Sequence, residues 1–240
     1  MDLYKQTTAE SYLLREKDGY RAVEEGGICY LFWNTPDYAG LNMVLAEEIT
    51  AEKLHKIKEK TKGYRFGVAL QKQAAEILEK NGLVFDEKAY VMSFQADAPL
   101  GFTSDLEIKK VESCADLLIW SSVVAKVFKM ADAEYICRMC RGDLTIPEVS
   151  YYYGMAQGKP VGAIQTVKGS SACGIYWVAV DENFRRRGYG HDLMAAAING
   201  VLVKGCDRFV LCSSQKGYPL YQSLGFETVY QRYDYELREV

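Results

Sequence analysis

The run Ile175-Tyr-Trp-Val-Ala-Val-Asp-Glu-Asn-Phe-Arg-Arg-Arg-Gly-Tyr-Gly-His191 constrains this chain more than any other. It reads as a strand, a turn carrying Arg-x-x-Gly-x-Gly, and a helix start. Residues 174–180 are apolar on both faces, as a central strand requires. After Gly190, the residues Leu193, Met194, Ala197, Ile198, Val201 and Leu202 recur at helical spacing. Lys204 suits the negative end of that helix, and Gly205 can cap it. Residues 208–212 then read as another buried strand. A strand–helix–strand unit of this length implies two parallel strands joined by a right-handed crossover.

The turn has a chemistry of its own. Gly188 and Gly190 permit close backbone approach and unusual dihedral angles. A helix beginning near Tyr189 adds its positive end. Together they aim N–H groups at a diphosphate. A dinucleotide-binding turn needs G-x-G-x-x-G, and a P-loop needs G-x-x-x-x-G-K-[ST]; neither spacing occurs here. Taken alone, Arg185, Arg186 and Arg187 read as a solvated basic turn or a nucleic-acid contact; with the glycine spacing, the strand before and the helix after, they read as part of a phosphate site, Arg186 and Arg187 reaching from its rim. A net charge of −3, with no broad basic stripe, argues against a nucleic-acid partner.

The chain holds 240 residues, room for one large domain or two small ones, and its 49% hydrophobic content is enough for a full core. No apolar run reaches membrane-spanning length, and the first residues lack the pattern of a signal peptide, so a cytoplasmic protein without membrane partners is expected. Cys29, Cys114, Cys137, Cys140, Cys173, Cys206 and Cys212 are odd in number and scattered, which argues against a disulfide framework. Cys137-Arg-Met-Cys140 lacks a second ligand pair, and His55 and His191 are the only histidines, so no metal is expected.

The best boundary is Ala96-Asp-Ala-Pro-Leu-Gly101. It separates a domain over 1–100 from one over 105–240. In the first, strands are expected over 27–33, 41–49, 64–70 and 90–94. Thr50 caps a helix over Ala51–Lys60, and a second helix covers 71–80 and ends at Asn81-Gly82. In the second, a strand at 106–111 precedes helices over 115–128 and 131–141. Strands at 149–155 and 160–167 form a hairpin about Gln157-Gly158-Lys159. Residues 226–237 close the chain as a strand.

The segment from Val178 to His191 resembles the acyl-CoA-binding motif of the GNAT N-acetyltransferase superfamily, [Arg/Gln]-x-x-Gly-x-[Gly/Ala] after a strand. Leu220-Tyr-Gln-Ser-Leu-Gly-Phe226 resembles the second signature of that family. The resemblance covers 105–240 and implies an α+β fold, a mixed and mostly antiparallel sheet flanked by helices. The smaller α/β part before it is either a degenerate GNAT half or an unrelated α+β cap. No phosphate turn appears there; the one local echo is Leu78-Glu-Lys-Asn-Gly82-Leu83.

The resemblance implies an N-acetyltransferase that uses acetyl-CoA, or another acyl-CoA, as cosubstrate. The main chain of Val178, Ala179 and Val180 would bind the pantetheine arm and polarise the thioester carbonyl. Amides of Arg186, Arg187, Gly188, Tyr189, Gly190 and His191 would hold the diphosphate, with Arg185 fixing the turn. Tyr221 takes the general-acid position, protonating the departing thiolate. Ser214 stands where the family often has an Asn that touches the cofactor. The acceptor would be a small-molecule or peptidyl amine.

The general base is left open between Glu148, near the start of a strand with Tyr151 and Tyr153, and an ordered water. Cys212 reads as a buried strand cysteine rather than a nucleophile. A non-catalytic CoA-binding regulatory protein is the alternative, because a fold can keep its diphosphate turn and lose its acceptor site.

Overall fold

The computed structural model describes residues 2–33, 42–130 and 132–237. The chain forms two compact units. The first contains Met1–Met92, Cys212–Tyr221 and Glu227–Val240; the second contains Ser93–Leu211 and Gln222–Phe226. In order, the helices are α1 (Leu3–Leu13), α2 (Ala51–Lys60), α3 (Ala75–Glu79), α4 (Cys114–Phe128), α5 (Ala133–Cys140), α6 (Tyr189–Leu202) and α7 (Tyr218–Ser223). The strands are β1 (Arg21–Glu25), β2 (Ile28–Phe32), β3 (Met43–Ala46), β4 (Gly67–Leu70), β5 (Leu83–Gln95), β6 (Glu107–Lys110), β7 (Val149–Ala156), β8 (Lys159–Lys168), β9 (Cys173–Val180), β10 (Arg208–Ser214) and β11 (Glu227–Leu237).

In the second unit the strand order is β10-β9-β8-β7-β6. Its pairs are antiparallel except β9 and β10, which are parallel and joined through α6. Helices cover both faces. Tyr151 stacks edge-on against Trp120 of α4 at 4.7 Å between ring centroids. Its neighbour Tyr152 points the other way, toward α6, where a Cβ on Gly200 would sit 2.0 Å from the Tyr152 hydroxyl. Successive side chains of a strand face opposite ways, so α4 and α6 lie on opposite faces. Trp120, Leu117, Val161, Ile164, Leu193 and Ile198 are fully buried between these layers.

In the first unit the order is β1-β2-β3-β4-β11-β5. β1, β2 and β3 pair antiparallel, β3 and β4 pair parallel across α2, and β11 runs antiparallel to β4. Ile28, Tyr30, Val44, Leu54, Ile57, Val68, Leu70 and Tyr235 form its core. The β3–α2–β4 wiring repeats the β9–α6–β10 wiring of the second unit.

The compact units depart from a division at residue 100. The register Tyr233↔Leu70 through Glu236↔Gly67 puts the last strand in the first unit, because it covers the edge that β4 leaves open. Two elements of that unit were not expected from sequence, α1 and β1. Thr50 caps α2 as expected, its side chain accepting from the Lys53 amide. The expected helix over 71–80 contracts to α3, and the expected strand over 90–94 extends back to Leu83. Positions 41 and 131, at the starts of an expected strand and an expected helix, lie outside the described residues.

Candidate active site

The site is built where β9 ends. Between β8 and β9 the register runs Gln165↔Tyr176 and then Ala163↔Ala179. Ile164 therefore faces two residues, Trp177 and Val178, and β9 carries a bulge. Trp177 takes a left-handed conformation, φ 53°. The Trp120 indole donates to the Ile164 carbonyl at 3.1 Å, which satisfies an acceptor that the bulge takes out of the ladder. Trp177 itself packs edge-on against Phe128 of α4.

On its other side, β9 meets β10 only at Cys173↔Phe209 and Gly174↔Val210. Among the described residues no pairing with β10 continues beyond Gly174. Val178, Ala179 and Val180 thus lie on a strand end whose second edge is open. An open edge leaves main-chain donors and acceptors for an extended ligand.

The chain then leaves the strand through a short 3₁₀ turn, Glu182–Phe184, capped by the Asp181 side chain. Asp181 is held by the Lys126 ammonium at 2.5 Å, and that hydrogen bond, opposed by burial, lowers its carboxyl below the ordinary value. Arg185 donates through Nε to the Val180 carbonyl at 3.0 Å and pins the turn to the strand. Arg187 lies over the Phe184 ring and donates weakly to the Asn183 carbonyl. Arg186 is left-handed, φ 63°, and so is Gly188, φ 83°. All three arginines are exposed.

Helix α6 begins at Tyr189 with Gly188 as its N-cap, and no side chain caps it. The amide of Asp192 is the first to bond back, to the Gly188 carbonyl at 3.1 Å. The amides of Tyr189, Gly190 and His191 precede it and have no intrahelical acceptor. A helix terminus of this kind, with first-turn amides outside the helical ladder, is suited to an anion.

One device was not foreseen. Asp192, in the first turn of α6, is buried with its carboxylate clasped by the 103–104 segment. Oδ1 accepts from the Thr103 amide and hydroxyl at 2.7 and 2.9 Å. Oδ2 accepts from the Ser104 amide and hydroxyl at 2.8 and 2.5 Å. His191 Nδ1 lies 3.1 Å from Oδ1. Burial pushes this carboxyl up, but the Ser104, Thr103 and His191 hydrogen bonds outweigh it and hold it at about 2. The only local cue was an acidic residue in a helix's first turn, which by itself signals a helix start. Its partners lie roughly 90 positions away in sequence, so no local pattern reveals them.

Because the folded carboxyl sits below its ordinary value of 3.8, its contribution is full above about pH 4 and fades as pH falls through 2. The shift is worth about 2 kcal/mol. We expect Asp192→Asn to cost about 3 kcal/mol at pH 7, since the amide loses charge-assisted acceptors and turns donors toward donors. In urea unfolding, the gap between wild type and variant should shrink steadily between pH 4 and pH 2. A gap independent of pH would show that Asp192 is not held ionised.

Glu148 is misplaced for the base role. It precedes Val149, which pairs with Val167, while the open end of β9 pairs Val180 with Gly162 and hence Gly154. Glu148 therefore lies at the far end of β7, near Lys204 at the C-terminal end of α6. Tyr151 and Tyr153 are committed elsewhere. The Tyr151 hydroxyl bonds the buried Asp143, and Tyr153 donates to Asp116 at 3.2 Å.

The remaining expected residues belong to the first unit. Tyr221 is a buried residue of α7. Burial, and after it the Cys212 thiol, raises its phenol above the ordinary value, so it stays protonated at neutral pH. Cys212 is pushed up to about 11, chiefly by burial, which makes it a poor nucleophile. The Ser214 hydroxyl accepts from the Gly217 amide at 3.3 Å and shapes the lead-in to α7.

The repeated wiring of the first unit lacks this chemistry. There β3 and β4 pair to their ends, Met43↔Gly67 through Ala46↔Leu70. Glu47 and Glu48 stand before α2, and Thr50 spends an N-terminal amide. Among the described residues no group of His, Cys, Asp and Glu could hold a metal ion, and no helix is long and apolar enough to cross a membrane.

The family model of the Acetyltransferase (GNAT) domain matches residues 148–228. The matched stretch runs from just before β7 into β11 and includes the turn between β9 and α6. No curated protein matches the chain in sequence. Among solved structures, a GCN5-related N-acetyltransferase from Kribbella flavida is similar, with a TM-score of 0.73 at 14% identity over 100% of this chain and 97% of that one. A functionally unknown conserved protein from Staphylococcus epidermidis has a TM-score of 0.73 at 15% identity, over 93% of this chain and 95% of its own. A putative acetyltransferase of the GNAT family from Novosphingobium aromaticivorans has a TM-score of 0.62 at 14% identity, over 98% and 99%. At such identities these likenesses establish a shared fold. It extends over the first hundred residues, which are thus part of the common architecture.

Proposed function

We propose that the protein is an acyl-CoA-dependent N-acyltransferase that acetylates a primary amine of a small molecule or peptide by direct attack. The observation that carries this reading is the pairing of two unspent sets of main-chain groups: the α6 amides after Gly188, and the open edge of β9 above its bulge. An acyl-CoA supplies the activated acyl group. The diphosphate is a strong acceptor suited to the amides of Gly188, Tyr189, Gly190 and His191. Exposed Arg186 and Arg187 add charge at the rim and offset that of Asp192. The open edge at Val178, Ala179 and Val180 suits the amide groups of pantetheine, and an amide aimed at the thioester carbonyl would stabilise charge developing there. Tyr221 serves as general acid by its place ahead of Gly225-Phe226. With Glu148 at the far end of β7, the base is a water rather than this carboxylate. The protein works in the cytoplasm.

The test is release of free thiol from acetyl-CoA across a panel of primary amines. We expect turnover with at least one amine, and none with tertiary amines. Tight acetyl-CoA binding without turnover on any amine would instead favour a non-catalytic CoA-binding regulator. Failure to bind acetyl-CoA at all would overturn both readings.

A further inference from the structure

The first unit carries a partly open pocket of about 270 Å³ at the carboxyl ends of the parallel strands β3 and β4. Such ends are where open α/β sheets place their ligands. For scale, an apolar cavity of about 150 Å³ admits benzene. The walls are polar and carry charges of both signs: Asp2, Lys5, Glu47 and Arg232, with Tyr4, Gln71 and Tyr230.

Most of those charges are already spent. Asp2 accepts from the Lys5 amide at 3.1 Å, from Gln71 at 2.9 Å and from the Tyr230 hydroxyl at 2.7 Å. Lys5 pairs with Glu24 at 2.6 Å. Arg232 gives Nη2 to Asp234 at 2.5 Å and Nη1 to the Tyr4 hydroxyl at 2.8 Å. Two groups remain. Arg232 Nε is buried and has no hydrogen-bond partner among the described residues. A buried, unpaired donor on a cation is costly. Glu47 stands exposed, its carboxylate in a 3.3 Å ion pair with the equally exposed Lys72, which water and a competing ammonium can displace.

One buried and unpaired, the other loosely paired at the rim, these two groups have opposite sign. A simple anion drawn to Arg232 would still face Glu47 and Asp2. A simple amine drawn to Glu47 would face Arg232 and Lys5. One molecule carrying a carboxylate and an ammonium a few bonds apart answers both. We propose that this cavity binds a free amino acid as its zwitterion, the carboxylate toward Arg232 and the ammonium toward Glu47. The pocket shares no residue with the diphosphate turn, and nothing in its chemistry depends on an acyl-CoA.

The experiment is calorimetric titration of the full chain with glycine, L-alanine, L-serine, L-glutamate and L-lysine, with propionate and propylamine as single-charge controls. At least one amino acid should bind at least about 10-fold more tightly than either control, a difference of about 1.4 kcal/mol. Glu47→Gln touches only the exposed rim, so it should keep the fold and weaken that binding about 10-fold. Arg232→Lys should abolish it, with circular dichroism used to check that the variant is folded. The proposal fails if no amino acid binds, if propionate or propylamine binds equally well, or if Glu47→Gln changes nothing.

Discussion

Replacing Gly188 by valine should remove acetyl-CoA binding while leaving the protein folded. Gly188 sits at φ 83° as the N-cap of α6. A residue with a Cβ pays about 1–2 kcal/mol in that conformation, and a β-branched one is a genuine outlier. Space is short as well. A Cβ would lie 3.1 Å from Thr103 Oγ1 and 3.3 Å from Ser104 Cβ. Those two residues cannot step aside freely, because Asp192 clasps both of them. The backbone must therefore rotate, and the amides that follow lose their common aim. Each hydrogen bond to a charged group contributes about 1.5–3 kcal/mol, so losing two weakens binding by more than about 100-fold. Isothermal titration with acetyl-CoA reads this directly, with a thermal melt to confirm folding. Binding within about threefold of wild type would show that the diphosphate is held elsewhere, and the proposed function would fall with it.

The second unit was legible because its elements obey simple periods. The alternation of β7 and β8, the apolar β9 and the one-sided α6 all announce themselves in aliphatic and aromatic residues, and the glycines mark the turn between them. Helix α1 hid because its buried face is unusual. Tyr4, Thr7, Thr8, Ser11 and Tyr12 keep helical spacing, but all five carry hydroxyls, and none is a plain aliphatic residue. A reading tuned to hydrophobic period passes over such a face.

The C-terminal strand was legible as a strand, but its partner and its place in the first unit were not. Nothing in Glu227–Leu237 says which open edge it will cover, since pairing partners are set by tertiary context. The bulge at Trp177 and the Asp192 clasp were illegible for a related reason. Each is settled by residues distant in sequence, Trp120 in one case and Thr103 with Ser104 in the other. Glu148 erred differently. It was nominated for its place at a strand's start, but the antiparallel register puts that start at the end of the sheet away from the turn.

Tyr221→Phe carries the second large effect, and it falls on turnover rather than on binding. The change removes one oxygen and keeps the ring that packs within the first unit. The helix that bears it, α7, follows the turn shaped by Ser214 and Gly217. A thiolate leaving without a proton is a poor match for an amine nucleophile that must shed one. A positioned acid typically contributes 10²–10⁴-fold. We therefore expect kcat to fall at least about 100-fold with acetyl-CoA affinity changed less than about threefold. Burial raises the phenol, so wild-type turnover should not decline through deprotonation of Tyr221 between pH 7 and pH 9. The companion measurement uses an acyl donor with a more acidic thiol, which leaves readily without help. If Tyr221 protonates the leaving sulfur, that donor should restore most of the lost rate in the phenylalanine variant. Equal losses with both donors, or a loss confined to KM, would assign Tyr221 to packing and leave the proton to water.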